Sequence, residues 1–311
     1  IYRLKKNEGG ILTRIASSHI RVGTFEYAVR YCTLDEYKLF FNYVVNRHFP
    51  DLIDKKILVV DFLNIVMEKQ IKLLVNWYRV GFIHGVMNTD NMSIAGETID
   101  YGPCAFMNSY NPNTVFSSID RNGRYSFKNQ SRIAYWNLVV LANTLIPLIS
   151  NNKKETLVLI QNLLDSFNEK FIKKWYEMMF KKIGIIDPEL NDNMYIDELL
   201  ELMKIHEFDY TNLFASLTLG GSFINKFCKN KDFKIWYEKW IYRIKKSSNL
   251  EAGKGFMQNN NPLYIPRNYL VESALENAVL KDCNKIKDLL NDISGSYSYD
   301  KFNCYDECSL F

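Results

Sequence analysis

Proline and glycine are scarce in this chain, with seven and fourteen residues among 311. That scarcity excludes collagen-like and linker-like material. Cysteine is also sparse, and six residues are too few for a disulfide scaffold. None sits in the doubled C-x-x-C spacing of a zinc site. Only Cys304 and Cys308 lie close together, so a reducing compartment is the default expectation. No apolar run approaches the roughly 20 residues of a membrane span. Excess charge is missing too. The 39 Lys and Arg against 35 Asp and Glu leave a net charge of +4, too mild to indicate a nucleic-acid binder. The imbalance sits at one end, where Arg3, Lys5, Lys6, Arg14 and Arg21 face only Glu8. Ile1 opens on this basic stretch without the apolar core of a signal peptide, so a secreted protein is not expected.

What is present describes a globular chain: 47% hydrophobic and 24% charged residues. Its length suits two domains or one large one. The hydrophobic pattern is mostly helical. Short amphipathic patterns cover 24–31 and 34–48, the second opening at Thr33 as N-cap. Residues 61–79 carry Phe62, Ile65, Val66, Ile71, Leu74, Val75, Trp77 and Tyr78 at helical spacing and should be buried, with a break at Gly81. Further helices are expected over 131–149, 154–182, 195–205, 208–218, 231–246, 268–279 and 283–292. The run from Lys246 to Asn261 reads as a loop. A division into residues 1–150 and a helical part over 151–311 is expected.

Residues 82–102 differ. His84-Gly85 opens a polar loop with Asn88, Thr89, Asp90 and Asn91. Met92-Ser93-Ile94 and Glu97-Thr98-Ile99, joined through Ala95-Gly96, predict a small hairpin. It delivers Asp100-Tyr101-Gly102. The protein-kinase catalytic loop has the pattern H-R-D-x-x-x-x-N, followed by a hairpin and D-F-G. His84 and Asn91 stand at that interval. The kinase base position is Val86, which accepts no proton, so ordinary kinase chemistry is not expected. Asn91 and Asp100 are hard oxygen ligands of the type Mg²⁺ takes. Asp90 is placed to replace the missing base. Arg14 and Arg21 offer guanidinium forks for phosphate. Singly, each has a plainer reading. Loop Asp and Asn residues most often cap helices or form turns, His84 fits a structural role, and the two arginines fit a solvated surface.

The stretch from Gly81 to Pro103 closely resembles the selenoprotein O family, kinase-fold pseudokinases that transfer AMP from ATP to protein hydroxyls. The likeness extends through Leu12-Thr13-Arg14, Ser17 to Glu26, Gly123 to Phe127, Trp136-Asn137-Leu138, Asp209 to Asn212, and Asn261 to Tyr264 with Arg267-Asn268. It implies a mainly α fold: a protein-kinase-like C-lobe with a small catalytic-loop β-hairpin and a helical C-terminal extension. It implies Asp90 as proton acceptor, Asn91 and Asp100 as ligands of Mg²⁺ or Mn²⁺, and Arg14, Arg21 and Asp100 as ATP-binding residues. It implies a protein adenylyltransferase acting on Ser, Thr or Tyr hydroxyls of protein substrates, with ATP as co-substrate, in a bacterial cytoplasm or a mitochondrion.

Three departures stand against the family pattern. The family's N-lobe, with its Gly-rich loop, phosphate-binding Lys and partner Glu, has no counterpart here, so the chain is expected to be a fragment, inactive alone. The alternative is a catalytically inactive nucleotide-binding pseudokinase or scaffold. Members often end in a Cys- or selenocysteine-Ser signature; here Cys308-Ser309 fills that place, either as a redox group or as an ordinary surface thiol. The partner position proposed after D-Y-G is Phe116 here, with Cys104 nearby. Pro266 is unusual just before Arg267-Asn268 and is expected to affect a helix start.

Overall fold

A computed structural model describes residues 10–53, 55, 58–149, 152–246 and 249–301. The fold is mainly helical. Its centre is α3 (Leu58–Val80), preceded by α1 (Val22–Tyr31) and α2 (Leu34–His48). Along α3, Val59, Phe62, Leu63, Val66, Met67, Ile71, Leu74, Trp77 and Tyr78 are buried, the spacing of a helix covered on most sides. The N-cap expectation for α2 holds. The Glu36 amide donates to Thr33 Oγ1 at 3.3 Å, and the Thr33 amide donates to Glu36 Oε2 at 2.8 Å, a reciprocal capping box.

The helix α3 stops at Gly81, whose φ of 72° suits glycine. A two-residue strand β1 (Phe82–Ile83) then pairs antiparallel with β2 (Ala105–Phe106). The expected hairpin over 92–99 is reduced to one antiparallel bridge, Met92 to Thr98, with the turn closed by the Gly96 amide on the Ser93 carbonyl at 3.1 Å. The regular pairing of this region lies instead at its two ends. The segment 92–94 spends its remaining backbone groups on residues 20–22, described below.

Next comes α4 (Gln130–Leu145), which gives way at Ile146–Leu148 to a 3₁₀ turn carrying Pro147. The single helix expected over 154–182 is two: α5 (Lys153–Asp165) and α6 (Phe167–Lys182). They meet at Ser166, whose hydroxyl donates to the Leu163 carbonyl at 2.7 Å, a local bond that competes with helix continuation. Then follow α7 (Asn193–Ile205), α8 (Tyr210–Leu219), the short α9 (Gly221–Asn225) and α10 (Lys231–Lys245).

The segment expected as a loop after Lys246 contains a helix, α11 (Leu250–Asn260). Asn249 caps it by accepting from the Ala252 amide at 2.9 Å. Its polar composition hid one packed edge. A Cβ at Gly253 would lie 2.6 Å from the Gly184 carbonyl oxygen, so two glycines let α11 abut the end of α6. α12 (Asn268–Val279) starts two residues after Pro266, and α13 (Asn284–Ser294) packs against α12.

One hydrophobic core runs from Val22 to Met257 and so spans both sides of residue 150. A smaller cluster joins Ala215, Phe223, Leu263 and Tyr299. A buried ion pair pins the loop before α7: Arg243 Nη2 donates to Asp192 Oδ2 at 2.7 Å and to the Asp187 carbonyl at 2.6 Å. Among the described residues, no helix is long and apolar enough to cross a membrane.

Candidate functional site

The loop after β1 is held from α4 by two side-chain amides. Gln130 accepts from the His84 amide at 3.1 Å and donates to the Phe82 carbonyl at 3.1 Å. Asn137 donates to the Met87 carbonyl at 3.0 Å. The intervening Gly85 has φ 83°, and a Cβ there would lie 2.8 Å from the Pro103 carbonyl oxygen. Only glycine lets these two loop segments cross so closely.

His84 is fully buried. Its Nε2 lies 2.8 Å from the Ile99 carbonyl oxygen, so Nε2 carries the proton, and Nδ1 accepts from the Val86 amide at 3.4 Å. Burial pushes its pKa below the usual histidine value, opposed by the bond to Ile99 and the charge of Asp100. A neutral imidazole therefore ties the start of the loop to the residue just before Asp100.

Asn91 is buried, and its Nδ2 donates to the Val86 carbonyl at 2.9 Å. Val86 contributes only backbone here, its amide to His84 and its carbonyl to Asn91. Oδ1 of Asn91 accepts no hydrogen bond among the described residues, and an amide oriented through Nδ2 leaves that oxygen for another ligand. Asp100 adopts φ 59°, a left-handed conformation rare outside glycine and concentrated at functional positions. Asn91 and Asp100 are thus fixed from two sides by one chain of contacts: Asn91 to Val86, Val86 to His84, His84 to Ile99.

A strap formed by residues 14–22 crosses this loop. The Ile94 amide donates to the Ile20 carbonyl at 3.1 Å, and the Val22 amide to the Met92 carbonyl at 3.0 Å. The Ser17 amide and hydroxyl both donate to the Glu97 carboxylate, the amide at 3.0 Å. These bonds from Ser17 hold the Glu97 carboxyl below its usual pKa range. From below, α3 adds Gln70, donating to the Ser93 carbonyl at 2.6 Å, and Trp77, donating to Thr98 Oγ1 at 2.9 Å.

The strap brings both predicted arginines to the predicted acids. Arg21 Nη1 donates to the Asp90 carbonyl at 3.0 Å, and Arg14 Nη1 lies 3.5 Å from Asp100 Oδ1. The Asp90 side chain is exposed and leans over Gly23 in the first turn of α1. The N-terminus of a helix favours a negative charge. The strap thus brings Arg14 to the Asp100 carboxylate and Arg21 to the backbone of Asp90, the residue before Asn91. The sequence reading missed Gly23, Gln70 and Gln130 as supports; isolated glutamines in helices carry no signal of what they will brace.

Among the described residues, no three His, Cys, Asp or Glu side chains gather as a metal cluster. Asn91 Oδ1 and the Asp100 carboxylate supply two hard oxygens. Two hard oxygens are the donor type that Mg²⁺ takes from a protein, so these residues fit such an ion. Of the cysteines, Cys304 and Cys308 lie outside the described residues. Cys104 is half-buried, and burial pushes its thiol above the usual range, the opposite of an activated nucleophile. The distant segments matched in sequence also meet. Arg267 grips Asp209 with bonds of 2.7 and 3.1 Å and reaches Asn212 and Asn108, a clasp between α8 and the chain after β2.

Residues 3–294 match the protein family described as "Protein adenylyltransferase SelO". The chain is 46% identical over 302 residues to a Clostridium perfringens (strain SM101 / Type A) protein named protein nucleotidyltransferase YdiU, covering 97% of this chain and 62% of that protein. It is 45% identical over 292 residues to the protein of that name from Clostridium beijerinckii, covering 94% of this chain and 60% of the relative. The Bacillus cereus (strain G9842) protein is 43% identical over 300 residues, 96% of this chain and 62% of its own length. The chain thus spans about three fifths of the curated relatives it matches.

Proposed function

The chain belongs to the protein adenylyltransferase SelO family, and from that membership and the geometry of the strap and loop we propose that it forms the kinase-like C-lobe of a nucleotidyltransferase moving AMP from ATP to protein hydroxyls. The observation that carries the reading is the convergence of Arg14 on Asp100 and of Arg21 on Asp90 across an ordered loop. Two guanidiniums against a loop with two carboxylates and a free amide oxygen suit a metal–triphosphate.

In this reading Arg14 and Arg21 hold phosphate oxygens and oppose the negative charge that develops as the α–β bridge breaks. Asn91 and Asp100 would hold Mg²⁺ or Mn²⁺, which would supply charge neutralisation at the phosphates. Asp90 accepts the proton of an incoming Ser, Thr or Tyr hydroxyl, and that oxygen attacks the α-phosphorus. Pyrophosphate leaves. His84, neutral and buried, moves no proton; it orients Asp100 through the Ile99 carbonyl. The relatives are bacterial, which favours the bacterial cytoplasm over the mitochondrion as the setting.

Product identity tests this. The full polypeptide carrying this sequence, given ATP, Mg²⁺ and a protein acceptor, should release pyrophosphate in step with acceptor modification. ADP as the product would indicate phosphoryl transfer and defeat the reading. Nucleotide binding with neither product would favour the inactive scaffold.

A further inference from the structure

The chain after β2 and the first turns of α4 carry four exposed cations. Arg121, Arg124, Lys128 and Arg132 are all exposed, and none makes an ion pair among the described residues. Arg132 and the exposed Trp136 stand four residues apart on α4, along one side of the helix, and Lys128 lies in the 3₁₀ turn that leads into it. The Arg124 guanidinium lies 4.9 Å from the Trp136 ring centroid, a cation–π contact that leaves its N–H edge to solvent.

The two acids near it, Asp120 and Asp165, form no ion pair with these cations among the described residues. Asp120 spends both carboxylate oxygens on the amides of Arg124 and Tyr125, at 2.9 and 2.8 Å. Asp165 lines a hollow of about 340 Å³ together with Arg132 and Tyr135, and its Oδ1 accepts from Gln161 at 2.8 Å.

The helix that carries the patch also braces the candidate loop: Gln130, between Lys128 and Arg132, holds the backbone of Phe82 and His84, and Asn137, next to Trp136, holds the Met87 carbonyl.

We infer that Arg124, Lys128, Arg132 and Trp136 form a docking surface for an acidic segment of the acceptor protein, so that hydroxyls flanked by Asp and Glu are the favoured acceptors. This rests on the adenylyl-transfer reading for its purpose, but not for its detection. Carboxylates would pair with Arg124, Lys128 and Arg132, and Trp136 with Arg124 would supply a flat platform. Charge complementarity of this exposed kind steers encounter and selects partners, and it weakens with salt.

The test is fluorescence anisotropy on the full chain with a fluorescein-labelled peptide bearing one serine between three glutamates on each side. The same peptide with lysines, and an oligo-dT single strand, are run beside it. The glutamate peptide should bind at least about tenfold tighter than the lysine peptide. The double change Arg124→Glu with Arg132→Glu should remove about that factor. Trp136→Ala should weaken binding with the salt dependence kept. A fluorescent ATP analogue should bind the double variant as it binds the wild type. Equal binding of both peptides, or an unchanged double variant, would overturn the inference. Oligo-dT binding tighter than the glutamate peptide, with the same arginine dependence, would assign the patch to nucleic acid and also overturn it. Adenylyl transfer measured in parallel separates the two claims. Transfer without peptide preference sinks the docking surface alone, and peptide preference without transfer sinks the enzymatic reading alone.

Discussion

Gly23 and Asp90 approach so closely that a Cβ on Gly23 would collide with Oδ1 of the Asp90 carboxylate. The first turn of α1 thus sets where the proposed base can stand. Gly23 has ordinary helical backbone, so alanine there fits the chain and would by helix propensity favour the folded state. Gly23→Ala should leave the melting temperature level or raised while adenylyl transfer falls about a hundredfold, the scale of a reacting group displaced by about 1 Å. Activity at the wild-type level would show that Asp90 does not need this seat.

His84 links folding to pH. Its folded pKa is depressed by burial, so the unfolded chain binds the proton more readily. Stability is then fully present above the unfolded value of about 6.5 and is lost as pH falls below it towards the folded value. His48 is shifted the same way, chiefly by burial with Arg47 and Lys69 adding, and contributes to the same slope. His84→Gln keeps a donor for the Ile99 carbonyl and removes the titration. Urea midpoints measured between pH 7.5 and 5 should fall less steeply for this variant than for wild type. Parallel slopes would mean His84 does not carry the linkage.

The strap should be separable from the fold. Ser17 is exposed and Glu97 half-buried, and pairs at the surface are worth about 1 kcal/mol or less. Ser17→Ala should therefore barely move thermal stability. It should speed tryptic cleavage after Arg14 and weaken nucleotide binding, because Arg14 loses its anchor. A large drop in melting temperature would show that the strap belongs to the core.

Asp192 and Arg243 behave oppositely. Both side chains are 7% exposed, and the acid accepts two guanidinium donors. Asp192→Ala leaves the buried Arg243 with only the exposed Glu189 carboxylate, 3.6 Å from its Nη2, and should cost about 3 kcal/mol in a urea titration. A cost under about 1 kcal/mol would show that water reaches Arg243.

Much of the helical frame is legible in the residues alone. The apolar rows of α3, the Thr33 cap with Glu36 and the stop at Gly81 are local signals, readable over one or two turns. The His84-to-Asn91 interval and Asp100 are legible as a pattern, and the strap brings Arg14 and Arg21 to that loop. What escaped detection is tertiary. Ser166 breaks a helix through a single side-chain bond, with no proline or glycine to mark it. The helix α11 looks polar because its packed edge is built from Gly253 against Gly184. Gln70 and Gln130 look like surface glutamines and are buried braces. The pairing expected within 92–99 went largely to residues 20–22, some seventy positions away.

The most direct measurement of the central claim uses ATP labelled at either the α- or the γ-phosphorus. The full polypeptide carrying this sequence is incubated with Mg²⁺ and a protein acceptor, as wild type, Asp90→Asn and Asp100→Ala. Label from the α position should enter the acceptor, γ label should not, and both substitutions should abolish incorporation. Incorporation of γ label, or α label that survives Asp100→Ala, would contradict nucleotidyl transfer at this site.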